Sequence, residues 1–204
     1  TKQTQNVEIW LGNHNVTDQF KITGNQQTAV PEFCYTLSVD AISDNFTGYK
    51  TAEWTIAPKN ISGATINLGE ALTYKGWEQT QTVDSVTVDG LDVTYTVSDN
   101  RQTDAGTYTL TVTGTGNFTG TATKDWTIAR KDISNSVITL GEKLTYNGQE
   151  QTQNVSVVTV DGIEGALVKG TDFGITGNTG TDAGDYTMTI RGTGNYTGRK
   201  DVRW

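Results

Sequence analysis

The chain has 204 residues, a formal net charge of −8 and a pI near 4.6. That acidic balance argues against nucleic acid and against an anionic membrane surface as partners, since both require clustered lysine and arginine. A single cysteine, Cys34, leaves no intrachain disulfide to form, which points away from a small secreted eukaryotic module and towards bacteria, and no apolar run approaches the ~18 residues that span a bilayer.

The chain repeats itself from its first residues. Gln3-Thr4-Gln5-Asn6-Val7 returns letter for letter as Gln151-Thr152-Gln153-Asn154-Val155, with Gln79-Thr80-Gln81-Thr82-Val83 between them. Asn45-Phe46-Thr47-Gly48 returns as Asn117-Phe118-Thr119-Gly120 and Asn195-Tyr196-Thr197-Gly198, each followed at the same spacing by a tryptophan, Trp54, Trp126 and Trp204. A period of about 75 residues is one small folded unit per repeat. Ahead of the glutamine motif the later copies carry Leu72-Thr73-Tyr74-Lys75-Gly76 and Leu144-Thr145-Tyr146-Asn147-Gly148, and the first has no counterpart. The expected organisation is a truncated repeat at 1–57, a complete one at 58–129, and a complete one with a loop extension at 130–204. Without an initiator methionine or signal peptide, the chain is expected to be an excerpt of a longer protein.

Along each repeat the periodicity is two. Tyr35, Leu37 and Val39 alternate with polar residues, as do Trp54 and Ile56, Tyr108, Leu110 and Val112, Trp126 and Ile128, and Tyr186, Met188 and Ile190. Such alternation predicts half-buried antiparallel strands. Asp89-Gly90, Gly116-Asn117, Asn147-Gly148, Asp161-Gly162 and Gly194-Asn195 supply the turns, and no window carries a helical stripe. The fold class expected is all-β, six or seven short strands per repeat, with Trp54, Trp126 and Trp204 as recurring core. The joints Ile56-Ala57-Pro58-Lys59 and Ile128-Ala129-Arg130-Lys131 are short and not Gly/Ser-rich, so they should restrict rotation and yield a rod. The third repeat is lengthened around Glu164-Gly165-Ala166-Leu167-Val168-Lys169, the expected place for a loop insertion.

Asp104-Ala105-Gly106-Thr107-Tyr108 recurs as Asp182-Ala183-Gly184-Asp185-Tyr186. A tyrosine two residues ahead of a core position resembles the corner of immunoglobulin-like sandwiches, where its hydroxyl bonds back to upstream backbone. Asp104 and Asp182 are expected at the turn, Tyr108 and Tyr186 at the corner, and Asn117 and Asn195 in the hairpin turn. The first copy differs, with Val30-Pro31-Glu32-Phe33-Cys34-Tyr35. Tandem small Ig-like β-sandwiches are the expectation; a β-grasp-like module is the alternative.

Tyr146-Asn147-Gly148, Gly170-Thr171-Asp172-Phe173, the Asp182–Tyr186 motif and Gly192-Thr193-Gly194-Asn195-Tyr196-Thr197-Gly198 resemble the MBG/YDG-type repeats of bacterial surface proteins. The middle copy departs at Tyr74-Lys75-Gly76 and lacks the Gly-Thr-Asp-Phe segment, and the first has Ser43-Asp44 where the pattern has glycine. The resemblance implies an exported bacterial protein, cell-wall-associated or secreted and often adhesin-like, built of many such units and without catalytic residues.

Catalytic chemistry finds no constellation. His14 is the sole histidine, and neither a metal-ligand spacing, a nucleophile turn nor a phosphate loop occurs. The loop carboxylates Asp99, Asp104, Asp182 and Asp185 are the calcium candidates, but they lack the alternating acidic spacing of a calcium loop and read first as turn caps, so no cofactor is expected. The Asn-x-Ser/Thr sequons at Asn15, Asn45, Asn60, Asn117, Asn154 and Asn195 read as turn chemistry. Trp10 and Trp77 fall outside the recurring tryptophan position and, with Glu164 and Lys169 of the extension, are the candidates for ligand contact. The leading expectation is an extracellular stalk or adhesin repeat region that spaces other domains, with neighbouring repeats as partners. The alternative is a module that binds a host glycan or surface protein.

Overall fold

A computed structural model of the chain describes residues 2–31 and 34–204. Glu32 and Phe33, within the unusual corner of the first repeat, lie outside the described residues. The protein is all-β: among the described residues its regular structure is short strand, apart from one 3-10 turn at Thr17–Gln19. Among the described residues no helix is long and apolar enough to cross a membrane.

The chain divides into two compact units. One comprises Thr1–Thr65, Val86–Thr96 and Val112–Ala122; the other comprises Ile66–Ser85, Val97–Thr111 and Thr123–Trp204. Each unit thus holds one outer repeat, part of the middle repeat and the joint between them.

In the first unit, Phe20–Thr23, Tyr35–Ala41 and Tyr49–Trp54 form a three-stranded antiparallel sheet with Tyr35–Ala41 at its centre. Its counterpart in the second unit is Phe173–Thr176, Thr187–Gly192 and Arg199–Arg203, with Thr187–Gly192 central. Alternation sends Met188 and Ile190 inward, where both are fully buried with Ile133, Val158 and Phe173. Each such side chain contributes ~1.5–3 kcal/mol by leaving water. The extension of the third repeat is only partly surface: Leu167 is buried in this core, and its amide donates to the Val158 carbonyl at 2.8 Å. Val137–Leu140 pairs antiparallel with Val155–Thr159. In the middle repeat, Leu72–Thr73 runs parallel to the end of Thr121–Ala129, Leu72 opposite Ile128.

One clasp recurs in all three repeats. The amides of Gln5, Gln81 and Gln153 donate to the carbonyls of Asn25, Asn100 and Asn178, each at 2.8 Å. Each asparagine side chain answers by donating to the carbonyl of its glutamine, at 3.3, 2.9 and 3.1 Å. The residue before each asparagine has positive φ: Gly24 at 73°, Asp99 at 60° and Gly177 at 72°. The Gly24 and Gly177 carbonyls accept from Trp54 Nε1 and Trp204 Nε1, at 3.0 and 3.1 Å, whereas Trp126 Nε1 is buried without an acceptor among the described residues. Asp99 bears the only side chain at this left-handed position. Asp99→Gly is therefore expected to raise stability by less than the ~1–2 kcal/mol that a side chain costs in this conformation, because aspartate tolerates it better than most, seen as an upward shift of the urea midpoint at unchanged slope.

Candidate functional site

The structural feature that recurs beyond the cores is the joint between repeats. In the middle repeat, Lys59–Asn60 pairs parallel with Phe118–Thr119, so the start of the repeat anchors its own Asn-Phe-Thr-Gly hairpin. The amides of Lys59 and Ile61 donate to the carbonyls of Asn117 and Thr119, both at 2.9 Å. The third repeat copies this arrangement with Lys131–Asp132 and Tyr196–Thr197. Lys59 also pairs with Asp89 at 2.6 Å, an exposed contact worth ~0–1 kcal/mol.

Held in this way, the hairpin presents its asparagine to the repeat before it. Asn117 Oδ1 accepts the Val30 amide at 2.7 Å. At the second joint, Asn195 Oδ1 accepts the Ala105 amide at 2.8 Å, and Asn195 Nδ2 donates to Asp104 Oδ1 at 2.9 Å. The Asp104 carboxylate thus meets the next repeat. Tyr196 is buried edge-on against Tyr74 of the preceding repeat, with centroids 5.4 Å apart and an interplanar angle of 82°. Burial first, and the neighbouring Tyr74 second, push the Tyr196 phenol up to about 12.

The receiving corner is braced from behind. Tyr108 Oη donates to the Asp104 carbonyl at 2.9 Å and its ring packs on Trp126 at 5.2 Å. Tyr186 donates to the Asp182 carbonyl at 2.9 Å and stacks on Trp204 at 4.8 Å. In the first repeat, Tyr35 donates to the Ala29 carbonyl at 2.7 Å and packs on Trp54 at 5.3 Å. Trp54 and Trp126 are buried; Trp204 is half-buried and packs against the core of the third repeat. A continuous path of contacts therefore leads from the indole of Trp126 through Tyr108 and Asp104 to Asn195.

The other sequence candidates are dispersed. Trp10 is 56% exposed, sits in the two-residue strand Trp10–Leu11 and donates from Nε1 to Glu8 at 3.2 Å. Trp77 is 54% exposed, in the loop between Leu72–Thr73 and Gln79–Thr80, and belongs to the other compact unit. Glu164 and Lys169 are both exposed, and among the described residues no hydrogen bond or ion pair joins them. No group of three or more histidine, cysteine or acidic side chains gathers among the described residues to hold a metal. Cys34 is half-buried, and burial, with Glu53 beside it, raises its thiol pKa.

The sequence pattern places Asn117 and Asn195 in a turn and carries no further. That their side chains reach another repeat, and that Tyr74 and Tyr196 meet, is visible only in the fold. The available signal was that the Asp-Ala-Gly corner and the Asn-aromatic-Thr-Gly hairpin recur together, as two halves of one contact do. No family model, curated protein or solved structure matches the chain.

Proposed function

We propose that the chain is a structural and interaction segment of an extracellular bacterial surface protein, a stalk or adhesin repeat region of the MBG/YDG type that spaces or presents other domains. Its repeats are tandem small β-sandwiches of Ig-like character, and it performs no catalysis. The observation that carries this reading is the asparagine bond, made from the same motif position at both joints. A spacer has to hold successive modules in a constant orientation under load. A hydrogen bond from the hairpin of one repeat to the corner of the one before opposes swivelling at a net ~0.5–1.5 kcal/mol per bond. Single-molecule stretching tests the idea: a load-bearing spacer gives separate unfolding events at substantial force, and gradual low-force extension would sink it.

A second reading, a carbohydrate- or host-protein-binding module, is favoured by the half-exposed rings of Trp10 and Trp77. An exposed indole offers an apolar face for a sugar ring and an N–H at its edge. Trp10→Ala and Trp77→Ala should leave the circular dichroism spectrum and melting temperature nearly unchanged. Under this reading either substitution abolishes glycan-array signal; a wild-type chain that binds nothing on the array removes it.

A further inference from the structure

Asn147-Gly148 is the only place in the chain where glycine directly follows asparagine. Both residues are exposed, and Gly148 turns the backbone at φ 76°. The Asn147 carboxamide lies across this turn. Its Oδ1 accepts the Gln149 amide at 2.9 Å, and its Nδ2 donates to nothing among the described residues.

Asn15 and Asn60 close turns in the same way, accepting the Thr17 and Ser62 amides at 3.0 and 2.8 Å. They differ at the amide in between. Val16 donates to the Ile9 carbonyl at 2.8 Å and Ile61 to the Thr119 carbonyl at 2.9 Å, and both side chains are β-branched. The Gly148 amide donates to no group among the described residues. Where a side chain would stand on Gly148, the Tyr146 hydroxyl is the one non-adjacent group, 3.9 Å away. An unbonded, unhindered nitrogen thus adjoins a carbonyl whose oxygen already accepts a hydrogen bond. Those are the parts of an intramolecular acyl transfer: a tethered nucleophile, and a donor placed where negative charge develops.

We propose that the Asn147–Gly148 turn is a self-modification site, where asparagine converts to aspartate and isoaspartate without an enzyme. Base takes the Gly148 amide proton, the nitrogen bonds to Asn147 Cγ, and the Cγ–Nδ2 bond breaks with loss of ammonia. Water then opens the resulting succinimide. Attack at Cγ gives aspartate; attack at the main-chain carbonyl carbon gives isoaspartate, whose backbone runs through the former side chain and is one carbon longer. Either product adds a negative charge. The middle repeat carries Lys75-Gly76 here, with Gly76 at φ 87°, and so lacks the reacting group. Lys75 and Gly76 are exposed even though the adjoining Tyr74 packs on Tyr196, so the exposure of this turn belongs to the repeat itself. The proposal rests on the turn's chemistry and not on the spacing role, so a failed stretching experiment leaves it standing.

The test incubates the folded chain in buffer and follows amide-to-acid conversion by mass spectrometry of its peptides, separating isoaspartate from aspartate by elution. Conversion at Asn147 is expected to outpace that at Asn60 by about tenfold or more, the factor carried by one hydrogen bond held off the nucleophile. The rate should rise about tenfold per pH unit, as the ionised fraction of a weak N–H acid does below its pKa. Asn147→Lys, the middle repeat's own residue, should abolish the signal from this peptide and leave the circular dichroism spectrum unchanged. A free peptide of residues 143–152 should react no faster than the folded chain. Conversion at Asn60 equal to that at Asn147 would overturn the proposal. So would a folded chain that reacts much more slowly than the free peptide, because the turn would then protect the asparagine.

Discussion

Trp126→Ala should destabilise the chain by about 3–5 kcal/mol, the range for deleting a large aromatic from a packed core. Trp126 is 2% exposed, packs on Tyr108 and stands behind the corner that receives Asn195. The loss should therefore appear both as a lower urea midpoint and as weaker protection of the Ala105 amide. Phenylalanine separates volume from polarity at this site. Trp126 Nε1 is a buried donor with no acceptor among the described residues, so Trp126→Phe removes an uncompensated polar group along with part of the ring. Trp54→Phe gives up a real bond to the Gly24 carbonyl as well. The Trp54 substitution is expected to cost about 1 kcal/mol more than its Trp126 counterpart, the usual net value of one hydrogen bond. Equal costs in matched denaturation curves would mean that the Trp126 indole N–H finds an acceptor in solution.

Asn195→Ala should uncouple the third repeat from the second at a cost of about 1–3 kcal/mol, because one side chain makes both polar contacts across the joint. The Ala105 amide then loses its acceptor, and its exchange should accelerate roughly ten- to a hundredfold, following the factor of ten per 1.4 kcal/mol. Asn195→Asp provides the control. It keeps an acceptor for Ala105 but sets a carboxylate against the carboxylate of Asp104 in place of a donor, so its defect should shrink as salt is added. Asn117→Ala should have the smaller effect, since among the described residues the Asn117 side chain makes a single bond across its joint, to the Val30 amide. Unchanged exchange at Ala105 in Asn195→Ala would show that the parallel pairing of Lys131–Asp132 and the Tyr74–Tyr196 contact hold the joint without the asparagine.

The sequence by itself determined the all-β class and the positions of its turns, for a local reason. Period-two alternation and Asn-Gly or Asp-Gly pairs act through neighbouring residues, so Met188 and Ile190 could be placed inward from the string alone. It also marked the motifs that recur, because self-similarity is a property of the string. What Asn117 and Asn195 touch was not legible: their partners lie 87 and 90 residues away, and no local preference encodes which corner a hairpin meets. Leu167 shows the same limit, a residue of a loop insertion that the tertiary structure turns into core. The sharpest case is the five-letter run Gln-Thr-Gln-Asn-Val. Its final valine begins a strand at Val155, opposite Leu140, and forms no strand at Val7. Letters identical in both places adopt two states because the hydrogen bonds of a strand belong to a pair of segments, and a local run of letters does not say which second segment it meets.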